Sequence, residues 1–168
     1  MQELIRITDK GNHKAVDIKG VIEDEEAFAE AAEYIYNMFE REVFDAIICV
    51  AEAGSYFADS VSQRMKKKLI CLWENKEQKE QPVITYRTHH GEHILAAAPG
   101  SFDGVKKAVI ITDVLSHGKD IEAAVKLAMT QNVEIVKIGV FVENSDFDAR
   151  HKLLKGIPVE CMFFTEDL

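Results

Sequence analysis

Apolar residues along this chain fall into two kinds of run. The first kind is short and continuous. It covers residues 46–51 (AIICVA), 69–73 (LICLW), 107–112 (KAVIIT), 134–142 (EIVKIGVFV) and a last stretch at 159–164. Such runs predict strands covered on both faces. The second kind recurs every three or four residues, as on one face of a helix. Phe28, Ala31, Ala32, Ile35 and Phe39 predict a helix over 23–42, with Glu23, Asp24, Glu25 and Glu26 favouring its positive N-terminal end. A second helix is predicted over 55–67, ending in Lys66-Lys67-Lys68, which complement its C-terminus. Ile121, Ala124, Val125 and Ala128 line one face of a third, over 119–131, and Asp146 is a candidate cap for a fourth running to about Lys155.

The remaining segments are weaker signals. The first twenty residues alternate around Leu4-Ile5-Arg6-Ile7 and Ala15-Val16-Asp17-Ile18, which predicts one or two short strands or an irregular arm. Glu74 to Gln81 is wholly polar. Residues 82–88 and 92–97 alternate around His90-Gly91, the pattern of a hairpin. A turn-rich piece follows at Pro99 to Gly104.

Buried strands alternating with amphipathic helices predict an α/β fold: a central, mainly parallel sheet flanked by helices, with right-handed crossovers. No internal repeat or low-complexity linker interrupts the pattern, so residues 1–168 read as a single domain. Ligands of such sheets bind beyond the carboxyl ends of the strands. That rule singles out Glu52 to Ser55, Trp73 to Lys76, Asp113 to Asp120 and Glu143 to Ser145.

Charge and composition narrow the functional classes. The 168 residues carry 20 Lys+Arg against 29 Asp+Glu, a formal net charge of −9. That balance argues against nucleic-acid binding through a basic surface. No apolar run reaches the ~18–20 residues of a membrane helix. The opening MQELIRITDKG has no apolar core of a secretory leader. Cys49, Cys71 and Cys161 each sit in an apolar run and form no disulfide or C-x-x-C pattern. They read as small buried hydrophobes in a reducing cytoplasm.

The most informative chemistry lies in Val109 to Asp120. A buried strand ends in the carboxylate of Asp113, and a short loop with Ser116, His117 and Gly118 opens a helix. Backbone N–H groups at a helix N-terminus, with a glycine turn before them, suit a phosphate. Asp113 is placed to accept hydrogen bonds from sugar hydroxyls. The plainer reading makes Gly118 turn chemistry and Asp113 a loop acid.

This segment resembles the PRPP-binding loop of the type I phosphoribosyltransferases, where PRPP is 5-phosphoribosyl-1-pyrophosphate. The likeness extends along the chain. Val50 to Ser55 resembles the strand-to-helix turn of the adenine and xanthine enzymes, and Ile18 to Ala31 their first helix with its lead-in. Gly139 to Ser145 resembles the strand after the PRPP helix, and Thr85 to Gly91 the mobile hairpin that closes over substrate.

The resemblance implies transfer of ribose 5-phosphate from PRPP to a purine-type base, with release of pyrophosphate. It implies a hood from about 1–20 and 156–168, and a lid at about 74–105. By the same resemblance Ser116, His117, Gly118, Lys119 and Asp120 hold the 5′-phosphate, and Thr112 and Asp113 face the ribose. Asp113 and Glu52 are the candidate catalytic carboxylates. Ala53, Gly54 and Ser55 meet pyrophosphate, with Lys76 a basic residue nearby. Tyr86, Arg87, His90 and Gly91 belong to the lid. Mg²⁺ comes with PRPP, no protein metal ligand is assigned, and the implied partners are small molecules and a second copy of the chain.

The chain also departs from the family pattern. Thr112 stands where the first of two adjacent acids is usual. His117 and Asp120 replace small or hydroxyl residues of the phosphate loop, and Asp120 brings a carboxylate towards a phosphate. Trp73-Glu74 stand where an Arg-Lys pair normally faces pyrophosphate. An alternative reading is therefore a phosphoribosyltransferase-like protein that binds nucleotides or PRPP in a regulatory role. Other motifs carry less. His89-His90-x-x-His93 in a hairpin lacks helical i, i+4 ligand geometry. Ser55 is not in a G-x-S-x-G elbow, and Gly54 and Gly118 are too isolated for a dinucleotide or Walker loop. Trp73 at a strand end reads as half-buried packing.

Overall fold

The computed structural model describes residues 1–11, 13–50, 55–74 and 82–168, with Ser55 described by its backbone alone. A turn of 3-10 helix (Gln2–Leu4) leads into an antiparallel pair, β1 (Arg6–Asp9) and β2 (Lys14–Asp17). Then follow α1 (Lys19–Glu23), α2 (Glu25–Phe39), β3 (Ala46–Val50), α3 (Ser55–Met65) and β4 (Lys68–Glu74). The chain continues through β5 (Val83–Thr88), β6 (Gly91–Ala97), β7 (Lys107–Leu115) and α4 (Lys119–Thr130). It closes with β8 (Glu134–Glu143), α5 (Ala149–Lys152) and β9 (Val159–Phe164).

Seven strands form one sheet in the order β5-β6-β4-β3-β7-β8-β9. The five strands from β4 to β9 pair in parallel, and the β5–β6 hairpin joins β4 antiparallel. The continuous apolar runs are the parallel strands, because both faces of these strands are covered. On β7, Ala108 and Ile110 face α4 while Val109 and Ile111 face α2 and α3. Gly139 marks the tightest of these contacts: a Cβ there would lie 2.5 Å from the Phe39 ring of α2.

Four elements differ from the sequence expectation, each for a local reason. The helix expected over 23–42 is α2, shorter at both ends, and a separate short helix, α1, precedes it. Asp24 is extended between them and its carboxylate accepts the Ala27 N–H at 2.9 Å, so it caps α2. Helix α3 stops at Met65 because Lys66 turns left-handed (φ 55). Lys67 leaves the helix end and donates instead to the Phe44 carbonyl at 2.6 Å. The helix expected from Asp146 shrinks to α5, because the Asp146 carboxylate accepts the Lys14 N–H at 2.8 Å rather than capping a helix. Strand β7 runs three residues past Thr112, since Val114 and Leu115 stay in register with Val142 and Glu143.

The cysteines also divide. Cys49 is buried as expected, Cys161 is half-buried, and Cys71 is exposed. Alternation along β4 explains this: Ile70 and Leu72 turn into the core, so Cys71 turns the other way. The stretch after residue 156, assigned to the hood by resemblance, supplies β9 at the edge of the main sheet. Its contact with the β1–β2 pair comes just beyond, where Lys14 Nζ donates to the Thr165 carbonyl at 3.3 Å. No described helix is long and apolar enough to cross a membrane.

Candidate functional site

At the carboxyl ends of the strands lies a cavity of about 890 Å³, lined by the end of β7, the start of α4, the β5–β6 hairpin, the β1–β2 turn and Phe147. Three residues, Ser116 to Gly118, carry the chain from β7 into α4. Gly118 is the N-cap, with left-handed backbone (φ 70, ψ 11), and its carbonyl accepts the first helical bond from Glu122 N–H at 2.8 Å. A side chain there meets two obstacles. The backbone sign disfavours any residue but glycine, and a Cβ would lie 2.9 Å from Ala149 Cβ of α5.

Two carboxylates sit beneath this turn. Asp113, half-buried on β7, accepts the Val114 N–H at 2.8 Å. Burial pushes its pKa up, the backbone N–H groups of Val114 and Asp113 pull it down, and the charge of Asp120 pushes it up again. Asp120 is also raised, first by burial, against the pull of the Ile121 and Asp120 N–H groups and of His117. Thr112 is buried beside Asp113. Lys119 lines the cavity but donates to Glu122 at 3.0 Å, and Glu122 also holds Lys126 at 2.6 Å.

The hairpin closes the cavity from above. Thr88 pairs with Gly91, so His89 and His90 form its tip. Below the tip, Glu74 ties β4 to the hairpin. His93 Nδ1 lies 2.6 Å from Glu74 Oε1 and His93 Nε2 lies 2.9 Å from Thr88 Oγ1. In the tautomer that satisfies both, His93 donates to the carboxylate and accepts from the threonine. Tyr86 stacks on His93 (ring centroids 5.1 Å apart), and its pKa is pushed up to about 12, chiefly by burial and then by Asp120 and Glu74. Arg87 pairs with its strand neighbour Glu92 at 3.3 Å. Glu74 is therefore a hairpin anchor in this structure.

The cavity gathers Tyr86, Arg87, His90, Ser116, His117, Gly118, Lys119 and Asp120, all singled out in the sequence. Thr112 and Asp113 lie behind the loop rather than in the lining. Glu52, Ala53, Gly54 and Lys76 lie outside the described residues. Glu143, at another strand end marked for ligands, is buried in a bidentate pair with Arg150 and is committed to holding α5. Its neighbour Asn144 donates to the Lys14 carbonyl at 2.7 Å, which fastens β2 to the sheet. The sequence did not mark His13 or Phe147 as lining residues. Phe147 follows a flagged strand end, and that proximity is the one local signal for it; His13 lies in an ordinary polar turn. Among the described residues, no cluster of three His, Cys, Asp or Glu side chains is arranged to hold a metal ion.

Comparison with known proteins gives a consistent picture. Residues 20–157 match the family described as the phosphoribosyl transferase domain. An adenine phosphoribosyltransferase of Ruminiclostridium cellulolyticum is 30% identical over 152 residues, covering 86% of this chain and 85% of that one. The corresponding protein of Pelagibacter ubique is 28% identical over 146 residues, covering 86% and 83%. Among solved structures, the adenine phosphoribosyltransferase of Thermoanaerobacter pseudethanolicus superposes with a TM-score of 0.85 at 24% identity, over 97% of this chain and 96% of that one. The Trypanosoma brucei enzyme, solved with AMP, pyrophosphate and ribose-5-phosphate, reaches 0.84 at 12% identity, over 99% and 79%.

Proposed function

This chain belongs to the phosphoribosyl transferase domain family, and from that premise we propose that it transfers ribose 5-phosphate from PRPP to a purine-type base, adenine first among them. The observation that carries the reading is the turn from β7 through Gly118 into α4, which opens a helix N-terminus onto the 890 Å³ cavity. The relatives named above as adenine phosphoribosyltransferases support the choice of base.

In this reading Ser116, His117, Gly118, Lys119 and Asp120 surround the 5′-phosphate, and Thr112 and Asp113 face the ribose hydroxyls. Ala53, Gly54, Ser55 and Lys76 meet pyrophosphate, Glu52 is a catalytic carboxylate, and the hairpin with Tyr86, Arg87, His90 and Gly91 acts as the lid. The bond from C1′ to the pyrophosphate oxygen breaks and its electron pair leaves with pyrophosphate. A bond from the base nitrogen to C1′ forms, and that nitrogen loses its proton. Mg²⁺ enters as the magnesium complex of PRPP. The chain contributes positioning and charge stabilisation, and the closed hairpin keeps water from C1′.

The reading extends to a cytoplasmic homodimer. Tyr56 on α3 is 54% exposed and Trp73 on β4 is 36% exposed, which leaves aromatic surface for a second copy. Sedimentation equilibrium tests that part; a monomer at all concentrations removes it. The reaction itself is tested by calorimetric titration with magnesium PRPP, followed by incubation with adenine, guanine, hypoxanthine, xanthine and orotate and chromatography of the products. Micromolar binding and AMP formation are expected. A folded protein that ignores millimolar PRPP overturns the proposal.

A further inference from the structure

Imidazoles from three separate parts of the chain wall the cavity. His13 comes from the β1–β2 turn, His89 and His90 from the hairpin tip, and His117 from the loop before α4. Their rings form a series: His90 to His89 at 3.8 Å between centroids, His89 to His117 at 5.2 Å, His117 to His13 at 6.3 Å. Phe147 backs the series, 3.8 Å from His117 and 5.6 Å from His13. Rings from segments this far apart meet only because the hairpin tip and the β1–β2 turn both reach over the α4 loop.

Among the described residues, the fixed cations lining the cavity are already engaged, Arg87 with Glu92 and Lys119 with Glu122. Trp73-Glu74 occupy the end of β4, and Glu74 is held by His93. A phosphate-rich ligand entering here needs positive charge from another source. Imidazoles gain charge near neutral pH and answer small changes in their surroundings. Burial, then the neighbouring His89, His13 and His90, hold His117 below its ordinary range, with Asp120 opposing. An anion among them reverses the sign of that field. Among the described residues, the other charged or titratable groups facing the cavity are Tyr86 and Arg87 on β5 and Lys119 and Asp120 on α4, with Asp113 behind the loop.

Resting on the transfer reading above, we propose that His13, His89, His90 and His117 form a proton-loading cap, which takes up protons as the phosphate groups of PRPP or pyrophosphate enter and holds them as imidazolium ions. Each protonated ring then donates a charge-assisted hydrogen bond from N–H to a phosphate oxygen. The cap adds positive charge on demand, beyond what the engaged Arg87 and Lys119 offer.

The test counts protons. Inorganic pyrophosphate and magnesium PRPP are titrated calorimetrically in two buffers of unlike ionisation enthalpy, at a pH of about 7.5 where a phosphate ester is already dianionic. Net proton uptake is expected with both. His89→Asn combined with His117→Asn removes most of it and weakens pyrophosphate binding by roughly tenfold or more. The wild-type protein gives a readout free of folding artefacts: its histidine ring resonances move to imidazolium positions when pyrophosphate is added. Binding without proton uptake, or uptake that the double histidine variant keeps in full, overturns the cap. Uptake with pyrophosphate but no binding of PRPP keeps the cap and removes the transfer reading. No binding of either ligand removes both.

Discussion

Asp120 is the residue whose chemistry most changes the site. Its carboxylate sits at the positive start of α4, where the N–H groups that pull its pKa down are those an incoming phosphate would otherwise use. Burial raises its pKa in the folded chain, so the folded state holds the proton to higher pH than the unfolded one. The cost of the buried charge is absent below the unfolded pKa and complete above the folded one, so stability from this residue falls as pH rises through that window. Asp120→Asn is expected to raise the thermal midpoint near pH 7, to leave it unchanged near pH 3, and to tighten pyrophosphate binding at neutral pH. Equal midpoints for the two proteins at both pH values would show that the carboxylate is adequately solvated. Asp113 shifts in the same direction, so the pH slope should shrink without vanishing. Gly118 fails differently. Gly118→Val meets Ala149 and the left-handed backbone together, so the damage is structural, and a loss of about 2–4 kcal/mol in urea unfolding is expected. The obstacle lies towards α5 and not towards the cavity, so Gly118→Ala should lose stability too while any phosphate binding by the folded fraction survives.

At the scale of elements, the end of β4 decides how the hairpin is held. Glu74 reaches His93, and His93 reaches Thr88, so one chain of hydrogen bonds crosses from β4 through β6 to β5. Glu74→Lys breaks it and should speed amide exchange in 83–88 and 91–97. Trp73→Arg leaves it intact. If this strand end faces pyrophosphate, Trp73→Arg alone tightens PRPP binding; an unchanged affinity places the strand end elsewhere. The parallel strands were legible because burial on both faces writes continuous apolar runs, and 107–112 or 134–142 admit little else. The hairpin was legible from its alternation. The start of α2 was not, because Asp24 serves equally as a helix-favouring acid or as a cap. The exposure of Cys71 was hidden for a related reason: an apolar run tells that a strand is largely buried, not that its outer positions lack a covering helix.

Over the whole molecule, local and long-range electrostatics oppose each other. The turn from Thr112 to Asp120 was legible because consecutive residues build it. His13 and Phe147 were not, because only the folded chain brings them to His117 across more than a hundred and about thirty positions respectively. The local pattern therefore named the phosphate loop and missed the ring wall above it. The net charge of −9, by contrast, is set by composition alone. It repels a polyanion at distances beyond the cavity, while the helix end and the histidines attract it within a few ångströms. Salt separates the two, since at ~0.1 M the Debye length is about 10 Å and only the long-range part is strongly screened. The association rate for PRPP should therefore rise as ionic strength goes from about 0.01 M to about 0.1 M, and the dissociation rate should change less. Stopped-flow mixing measures both. A rate that falls with salt, as for a protein that steers anions with a basic surface, would mean that the field at the cavity mouth is already positive at long range.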